Sequence, residues 1–280
     1  MGAAWSISAA LYSGKGRVRG RNEDAYFFNG EYPNAENMNN EKHLAAETEG
    51  EGTLWAICDG VGGARNGDRA SRTAVRGMKD LKNHLPGRSF PACLQNWVRQ
   101  ADRVIAERTS GGGCTMVMLY GQENGLQMAH IGDSRIYWFH EGQLRRLTRD
   151  HSKMEMLMEA GLITEEEART HPQRHVITRA LGLSGEAFCE ATIGNPMPVA
   201  DGDAYLLCSD GLTDMLPDRE IERIFRETET ADDCAGTLYR GALEAGGKDN
   251  TTVLVLWIRA EKGRPLLESS EPAESGGEKA

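Results

Sequence analysis

The sequence lacks features that mark several large classes of protein. No apolar run approaches the roughly 18 residues of a membrane-spanning helix, and the first eleven residues carry neither a basic leader nor a long apolar segment. Positive charge is in deficit, with 32 Lys and Arg against 42 Asp and Glu, a net charge of -10. A nucleic-acid surface needs a positive field. We therefore expect a cytoplasmic protein without a membrane or nucleic acid as partner.

Paired cysteine motifs are missing as well. The six cysteines have no C-x-x-C spacing and most lie inside apolar runs, so we expect reduced, buried thiols. The first six residues match the loose pattern for N-myristoylation. The apolar alternation through 5–11 fits a half-buried first strand better than a lipid anchor.

Apolar strand patterns and amphipathic helical patterns alternate along residues 5–258. Outside 114–148, the strand patterns lie at 5–11, 24–28, 53–58, 204–209 and 251–258. The segments with helical periodicity are 74–85, 94–105, 218–227 and 231–245. This succession in one continuous body predicts an α+β fold of packed layers.

Residues 114–148 contain four further strand patterns joined by short turns. Sequential strands with such short connections have to pair antiparallel, which argues against a doubly wound parallel sheet. The polar stretch at 29–52 predicts a mobile loop. Residues 152–170 are predicted to be helical, with one helix ending at Gly161 and a capping box of Thr164 and Glu167 starting the next.

The last twenty residues differ in composition from the rest. Residues 261–280 contain Pro, Gly, Ser and five glutamates with almost nothing to bury, so we expect a disordered acidic tail. The predicted organisation is one domain over 1–260 and a tail over 261–280.

Four aspartates lie where an apolar strand meets its loop: Asp59, Asp133, Asp210 and Asp249. If those strands are neighbours, the four charges converge and repel one another unless a cation neutralises them. Ligands that offer only oxygen favour hard ions such as Mg²⁺ or Mn²⁺. An Asp-Gly pair also marks ordinary turns, as we expect for Asp201-Gly202. Strand placement alone leaves both interpretations open.

Eight segments of the sequence follow the order of a known motif series. They are VRGRNEDAY (18–26), ICDGVGG (57–63), GGGCTMVM (111–118), AHIGDSRIYW (129–138), LTRDHS (147–152), ITRALG (177–182), LLCSDGLTDML (206–216) and KDNTTVLVL (248–256). Together they resemble the type 2C, metal-dependent Ser/Thr protein phosphatases in their bacterial form. One segment alone would be a weak signal, whereas eight in order are highly specific.

The resemblance implies an αββα sandwich, in which two antiparallel sheets are flanked by helices, with a mobile helical flap at about 152–183. It implies hydrolysis of phosphoserine and phosphothreonine in proteins by a hydroxide that bridges two metal ions. The expected cofactors are two or three Mn²⁺ or Mg²⁺ ions. The expected partners are phosphoproteins and an opposing Ser/Thr kinase, and we expect a monomer.

The resemblance also assigns metal ligands. Asp59 resembles the carboxylate that bridges the two ions, and the Gly60 carbonyl resembles a ligand of one of them. Asp210 and Asp249 correspond to the remaining ligands of the first ion. Asp133 is similar to the ligand of a third, weaker ion.

Three further site residues come from the first motif. Glu23 and Asp24 resemble the acidic pair that anchors the second ion, partly through water. Arg19 matches the arginine that grips the substrate phosphate, for which a planar guanidinium is suited because it binds two oxygens at once.

The sequence departs from the eukaryotic pattern after the Asp-Gly pair. Many eukaryotic relatives have a histidine there that is proposed to protonate the leaving group, whereas this chain has Val61. We expect a metal-bound water to supply the proton. His151 is an alternative donor, but its place at the start of the flap favours an anchoring role.

Three other patterns point to different chemistry and are less well supported. Cys234 and Arg240 have the C-x5-R spacing of cysteine-dependent phosphatases, but they fall in a helical pattern without a glycine-rich loop. His171 and His175 lie four residues apart, yet no third zinc ligand is evident, so we interpret them as solvated. The glycines of 62–67 have P-loop spacing without the required Lys-Ser/Thr pair.

Two alternative functions stay open. A pseudophosphatase that only binds phosphoproteins would be expected to lack a metal aspartate, and every expected one is present. A phosphatase of small phosphorylated metabolites would use the same site, so the sequence does not separate it from a protein phosphatase.

Overall fold

Two β-sheets lie face to face in this protein, and helices cover the outer face of each. The structure is a computed structural model that describes residues 5–61, 66–123, 125–183, 185 and 189–260. Within these residues the strands are β1 (Trp5–Gly14), β2 (Ala25–Phe28), β3 (Lys42–Glu49), β4 (Leu54–Cys58), β5 (Met116–Gln122), β6 (Gly125–Ile131), β7 (Arg135–His140), β8 (Gln143–Arg146), β9 (Thr192–Ile193), β10 (Ala204–Cys208) and β11 (Thr251–Ala260). The helices are α1 (Gly67–His84), α2 (Phe90–Thr109), α3 (Lys153–Glu159), α4 (Glu165–Thr170), α5 (Asp210–Thr213), α6 (Asp218–Glu227) and α7 (Ala231–Glu244).

Neighbouring strands pair antiparallel in both sheets. The strand order is β3-β1-β11-β10-β7-β8 in the six-stranded sheet and β2-β4-β5-β6-β9 in the five-stranded sheet. Because side chains alternate across a strand, each sheet turns one face to the other sheet and one face to its helices. The predicted αββα sandwich is confirmed.

Three apolar layers hold the sandwich together. Ile7, Trp55 and Leu254 belong to the layer between the two sheets, and their side chains are fully buried. A second layer packs α1 and α2 against the five-stranded sheet, and a third packs α5, α6 and α7 against the six-stranded sheet. All four predicted helices are present, because each carries the apolar stripe that these outer layers require.

The prediction of a mobile loop at 29–52 is wrong for part of that stretch. Residues Lys42–Glu49 form β3, which pairs with β1 at the edge of the six-stranded sheet. None of its side chains is fully buried and most are exposed. An edge strand held by its backbone hydrogen bonds needs no apolar alternation, so its sequence resembles that of a loop.

The connection from β6 to β7 also differs from the prediction. These consecutive strands are separated only by residues 132–134, yet β6 pairs with β5 whereas β7 pairs with β8 and β10 in the other sheet. Gly132 has a φ of 96°, which glycine adopts without strain, where the chain leaves the five-stranded sheet. Short connections predict the β5–β6 and β7–β8 hairpins correctly, but this one crosses between the sheets.

The flap, defined as residues 152–183, follows β8 and carries α3 and α4. Its predicted capping box is present, because Thr164 Oγ1 accepts from Glu167 N and the Glu167 carboxylate accepts from Thr164 N. Gly161 follows α3 with a φ of 67°, as expected of a residue that ends a helix.

Some predictions concern residues that the structure does not describe. They are residues 1–4 of the lipidation pattern, 62–65 of the P-loop spacing and the whole predicted tail, 261–280. Among the described residues, no helix combines the length and apolar character needed to cross a bilayer. Five of the six cysteines are buried, in agreement with the expected buried thiols.

Candidate metal centre

The strand-end aspartates meet at one edge of the sandwich. A cavity of about 510 Å³ is lined by Arg19 and by the acidic residues Glu23, Asp59, Asp133, Asp210 and Asp249. Asp59 and Asp133 follow strands of the five-stranded sheet, whereas Asp210 and Asp249 flank strands of the six-stranded sheet. Stacking the two sheets therefore brings four remote carboxylates into one cavity.

Asp59 is positioned through its backbone. Its N–H donates to Thr115 Oγ1 at 3.0 Å, and its carbonyl accepts from Thr115 N at 2.8 Å. Burial raises the pKa of the Asp59 carboxyl well above its ordinary value, and the nearby charges of Asp24 and Asp210 raise it further. Keeping Asp59 ionised is therefore costly unless a cation balances its charge.

Asp24 lies behind the cavity wall and leaves one oxygen without a donor. Its Oδ2 accepts from Ser209 Oγ and from Thr252 Oγ1, both at 2.7 Å. Its Oδ1 is buried and has no hydrogen-bond partner among the described residues. Burial raises the pKa of Asp24 to about 6, although the two hydroxyl donors oppose the shift. A buried carboxylate oxygen without a donor is what a cation site would leave behind.

Glu23 and Gly60 are joined backbone to backbone at the other side of the cavity. Gly60 N donates to Glu23 O at 3.1 Å, and Glu23 N donates to Asn250 Oδ1 at 2.8 Å. A Cβ on Gly60 would lie 2.6 Å from the Gly67 carbonyl carbon, so only glycine fits this close approach. The partly buried Glu23 carboxylate lines the cavity, and burial raises its pKa.

Arg19 lies at the rim of the cavity and contacts Asp249. Its Nη2 donates to Asp249 Oδ2 at 2.6 Å, while Asp249 Oδ1 accepts from Asn250 N at 2.8 Å. The Asn250 side chain also donates to the carbonyls of Lys15 and Arg21, at 3.1 and 2.9 Å. Asn250 thus fixes both ends of the loop that carries Arg19 next to the carboxylates.

Asp133 and Asp210 complete the acidic wall. Asp133 lies in the crossing between β6 and β7, and burial raises its pKa to about 7. Asp210 is the first residue of α5, and burial followed by the charges of Asp133 and Asp214 raises its pKa well above the ordinary value. Neither group is easily ionised in the absence of a counter-charge.

These residues fit divalent cations. The donor set consists of oxygen atoms, its carboxyls are buried or partly buried, and their charges raise one another's pKa. Oxygen ligands favour Mg²⁺ and Mn²⁺, and a bound cation would remove the cost of ionising the cluster. Asp24 Oδ1 is the sharpest sign, since a buried acceptor otherwise finds a hydrogen bond.

No histidine follows the Asp59-Gly60 pair, and His151 does not replace it. Val61 lines the cavity at that position. His151 Nδ1 accepts from Gly132 N at 3.1 Å, its Nε2 lies 3.0 Å from Thr192 Oγ1, and it is not among the residues that line the cavity. Burial lowers the pKa of His151 to about 4, so it is neutral near pH 7. These contacts support an anchoring role at the base of the flap.

The competing patterns are not assembled into sites. Cys234 is buried in α7, where burial raises its pKa to about 12, and Arg240 Nη2 donates to Thr237 Oγ1 on the same helix. The Asp201-Gly202 pair forms the expected turn, in which Gly202 has a φ of 85° and its N–H donates to the Ile258 carbonyl.

The two flap histidines have different environments. Helix α4 ends at Thr170, so His171 and His175 do not share a helix. His171 Nδ1 accepts from Gln173 N at 3.1 Å, as in a local turn. His175 lines the cavity, and its Nδ1 lies 3.8 Å from Asp214 Oδ2. The His175 side chain is 50% exposed, which agrees with the interpretation as a solvated flap histidine, and the fold of the flap also brings it to the acidic wall.

Sequence reasoning missed several supporting residues. Thr115, Ser209, Thr252 and Asn250 orient the acidic residues or their loops, but hydroxyls and amides in strands are too common to attract notice. Asp214 lies four residues after Asp210, in the segment SDGLTDML. That spacing was the one available signal, since it places both carboxylates on the same side of a helical turn.

Comparison with known proteins agrees with this geometry. The family model described as "Protein phosphatase 2C" matches residues 30–237. The chain is 31% identical over 260 residues to the serine/threonine phosphatase stp of Listeria monocytogenes, covering 89% of this chain and 95% of that protein. Because the match covers most of both proteins, the similarity extends over the whole domain and is not confined to a single motif.

Solved structures are similar over the same extent. The serine/threonine phosphatase PstP/Ppp of Mycobacterium tuberculosis has a TM-score of 0.75 and 33% identity, covering 91% of this chain and 99% of that one. A PstP catalytic domain in complex with two manganese ions has a TM-score of 0.72 and 30% identity, covering 91% and 99%. The chain therefore belongs to the protein phosphatase 2C family, as a bacterial-type, metal-dependent serine/threonine protein phosphatase.

Proposed function

We propose that the cavity holds two divalent cations, Mn²⁺ or Mg²⁺, and hydrolyses phosphoserine and phosphothreonine in proteins. The main support is that Asp59, Asp210 and Asp249 come from two different sheets and line one cavity, with Arg19 at its rim. When bound, such cations acidify water and neutralise charge on the phosphoryl group.

The proposed ligand set follows the positions of the side chains. Asp59 is taken as the carboxylate shared by both ions, with Asp210 and Asp249 on one ion. We assign Glu23, the Gly60 carbonyl and Asp24 to the second ion. Because Asp24 lies behind the wall and does not line the cavity, we expect it to act on Asp59 or through water.

A third ion at Asp133 is a further part of the proposal. Asp133 and Asp210 both line the cavity, and the charge of Asp133 raises the pKa of Asp210. Support for this ion comes from the resemblance and from the partly buried position of Asp133 in the cavity wall. Its absence would leave the two-ion centre intact.

Arg19 would bind the substrate phosphate. Its side chain is 51% exposed at the rim, and its guanidinium already points at the acidic centre through Asp249. A dianionic phosphate that enters the cavity can exchange with the Asp249 oxygen and take two guanidinium N–H groups at once. This orients the phosphoryl group toward Asp59.

The leaving alkoxide needs a proton that neither Val61 nor His151 can give. Val61 has no ionisable group, and His151 is neutral, hydrogen-bonded and outside the cavity wall. We propose that water in the cavity protonates the leaving group. The open rim beside Arg19 gives that water access.

The remaining features concern the whole chain. We propose that residues 1–260 form the catalytic domain, that the flap at 152–183 gates the cavity, and that 261–280 is a tail. We propose a cytoplasmic monomer that opposes a Ser/Thr kinase, with neither membrane nor nucleic acid as partner. The net charge of -10 supports the last point.

The direct test is turnover of a phosphothreonine peptide in Mn²⁺ and then in chelator. Asp210→Asn should abolish turnover while the fold is retained. Asp201→Asn is the matched control, since Asp201 belongs to an Asp-Gly turn and keeps its acceptor oxygen toward Ala260 N. Normal turnover by Asp210→Asn, or turnover by the wild type in chelator, would refute the proposal.

The same assay separates the two alternatives. A pseudophosphatase would bind the phosphopeptide without hydrolysing it in Mn²⁺. A phosphatase of small metabolites would have a higher kcat/KM for a sugar phosphate than for the peptide. We expect hydrolysis, with preference for the peptide.

A further inference from the structure

A ring of hydrogen bonds holds Asp24 in place behind the cavity. Asp24 Oδ2 accepts from Thr252 Oγ1 at 2.7 Å, and Thr252 Oγ1 lies 2.8 Å from Ser13 Oγ. Asn22 Nδ2 donates to Ser13 Oγ at 3.2 Å, and Asn22 Oδ1 accepts from Asp24 N at 3.2 Å. All four residues are buried, so bulk solvent does not compete for these groups.

The proton count fixes the direction of the one contact in which either hydroxyl could donate. A hydroxyl has a single proton, and Thr252 gives its proton to Asp24. Thr252 must therefore accept from Ser13, which itself accepts from Asn22. The donors from Asn22 through Ser13 to Thr252 thus run in one direction and end on the Asp24 carboxylate, and each bond strengthens the next by polarisation.

The ring also decides how the Asp24 carboxylate is oriented. Its Oδ2 accepts two hydroxyl protons at 2.7 Å, one from Thr252 and one from Ser209. The buried Oδ1 has no donor within the part of the chain that the structure describes. Turning the carboxylate out of this plane would break both bonds to Oδ2. The hydroxyls therefore hold Oδ1 as the oxygen that is free for a cation.

We propose that Ser13 is a positioning residue for metal binding, which orients Asp24 through Thr252 and so strengthens binding of the second ion. The inference rests on the two-ion centre proposed above, in which Asp24 is assigned to that ion. Ser13 does not line the cavity, and none of the eight motif segments includes it. Its hydroxyl acts on the metal centre only by donating to Thr252.

The same ring has a structural role that a test has to separate from orientation. Ser13 lies in β1, and Asn22 lies in the loop to β2 that also carries Arg19. Breaking the ring therefore loosens the base of this loop and lowers stability, as loss of a buried hydrogen bond does elsewhere. An orienting role predicts in addition a lower affinity for Mn²⁺, which recovers when the hydroxyl is restored.

Calorimetric titration of the metal-free full-length chain with Mn²⁺ measures this affinity without reference to turnover. Thr252→Val removes a donor to Asp24 and should weaken one of the two Mn²⁺ ions bound by the wild type by roughly 10- to 100-fold. Ser13→Ala leaves Thr252 able to donate and should weaken the same ion by a smaller factor. Thr252→Ser restores the hydroxyl and should bind Mn²⁺ within about threefold of the wild type.

Thr53→Val is the matched control. It removes a buried hydroxyl that donates to Gly50 O at 2.6 Å, and Thr53 does not line the cavity. This variant should lower the unfolding midpoint in chelator, as Thr252→Val does, but leave Mn²⁺ affinity unchanged.

The double variant Ser13→Ala/Thr252→Val tests the route through Thr252. If Ser13 acts through Thr252, the double variant should bind Mn²⁺ as Thr252→Val does, whereas independent effects would add. Wild-type affinity in Ser13→Ala, additive losses in the double variant, or equal losses in Thr252→Ser and Thr252→Val would each overturn the proposal. If the two-ion centre failed instead, the wild type itself would not bind two Mn²⁺ ions, so the two failures are distinguishable.

Discussion

Arg19 Nη2 donates to Asp249 Oδ2 at 2.6 Å, so the proposed phosphate clamp is held by a proposed metal ligand. The contact raises the pKa of Arg19, and the charges of Asp210 and Glu23 also favour the charged guanidinium. A substrate phosphate therefore meets an arginine already aimed at the acidic centre. Such preorganisation reduces the entropy lost when the reacting groups are aligned.

Replacing Arg19 by Ala should raise KM by roughly 10- to 100-fold, because hydrogen bonds to charged groups contribute about 1.5–3 kcal/mol each. Arg19→Lys should recover only part of the loss, since an ammonium cannot bind two oxygens in one plane. Steady-state kinetics with a phosphopeptide measures both. Arg17→Ala, on the same loop but outside the cavity lining, is the control, and an equal loss there would contradict the role of Arg19.

Asn250 should act through the position of Arg19. Asn250→Ala removes the donors to Lys15 O and Arg21 O and the acceptor for Glu23 N, so KM should rise and the melting temperature should fall. Asn250→Asp keeps the acceptor for Glu23 N, but it sets a buried carboxylate oxygen against the Lys15 and Arg21 carbonyls, so it should lose at least as much stability as Asn250→Ala. Unchanged KM in both variants would show that the loop does not depend on this side chain.

Asp24→Asn should stabilise the metal-free protein while weakening its metal binding. Burial raises the pKa of Asp24 to about 6, so its ionised form is costly at pH 8, and the neutral amide should raise the free energy of unfolding by about 1–3 kcal/mol. Thermal unfolding in chelator and Mn²⁺ titration measure the two effects.

The control for this prediction is another buried aspartate. Asp203 is fully partnered, with His140 Nδ1 at 2.6 Å and Ala200 N at 2.9 Å. Asp203→Asn should destabilise the protein because it weakens the contact with His140. Destabilisation by Asp24→Asn as well would mean that the unpartnered oxygen has no special role.

The stability of the metal-free protein should rise as the pH is lowered from 8 toward 6.5. Burial raises the pKa of Asp133 to about 7 and that of Asp24 to about 6, above the ordinary values of about 4 in the unfolded chain. The folded state therefore binds more protons in this window, and stability is lost as pH rises through these values.

Two histidines, the buried His130 and the partly buried His151, oppose this trend at lower pH. Burial lowers the pKa of His130 to about 3 and that of His151 to about 4, so below about 6.5 the unfolded state takes up protons that the folded state does not. Between pH 8 and 6.5 the aspartates therefore dominate the pH dependence of stability. Unfolding in chelator across this range should show a rising midpoint, and saturating Mn²⁺ should stabilise most at pH 8. A midpoint that falls instead would contradict the ionisation of the cluster.

The strand-end aspartates were predictable because their signal is local. An apolar run that stops at Asp59 or Asp210 indicates both the strand and the end at which its carboxylate lies. To predict that these aspartates lie together, one further inference is enough, namely that their strands lie close to one another. The layered fold provides that inference. The capping box of Thr164 is local in the same way and was also found.

Features that depend on distant partners were not predictable. β3 is a strand because β1 offers it backbone hydrogen bonds, and its own exposed residues carry no apolar pattern. The chain passes from one sheet to the other at Gly132, and this path depends on where the second sheet lies. The sequence of residues 132–134 does not indicate that position. His175 reaches Asp214 only through the path of the flap, so sequence spacing paired it with His171 instead.

Crystals of the metal-free protein soaked in Mn²⁺ give the most direct test of the central claim. Anomalous difference maps should contain two strong peaks in the cavity, both within coordination distance of the Asp59 carboxylate, with Asp210 and Asp249 on one of them. Maps without a peak beside Asp59, from crystals in which the cavity is open to solvent, would contradict the account.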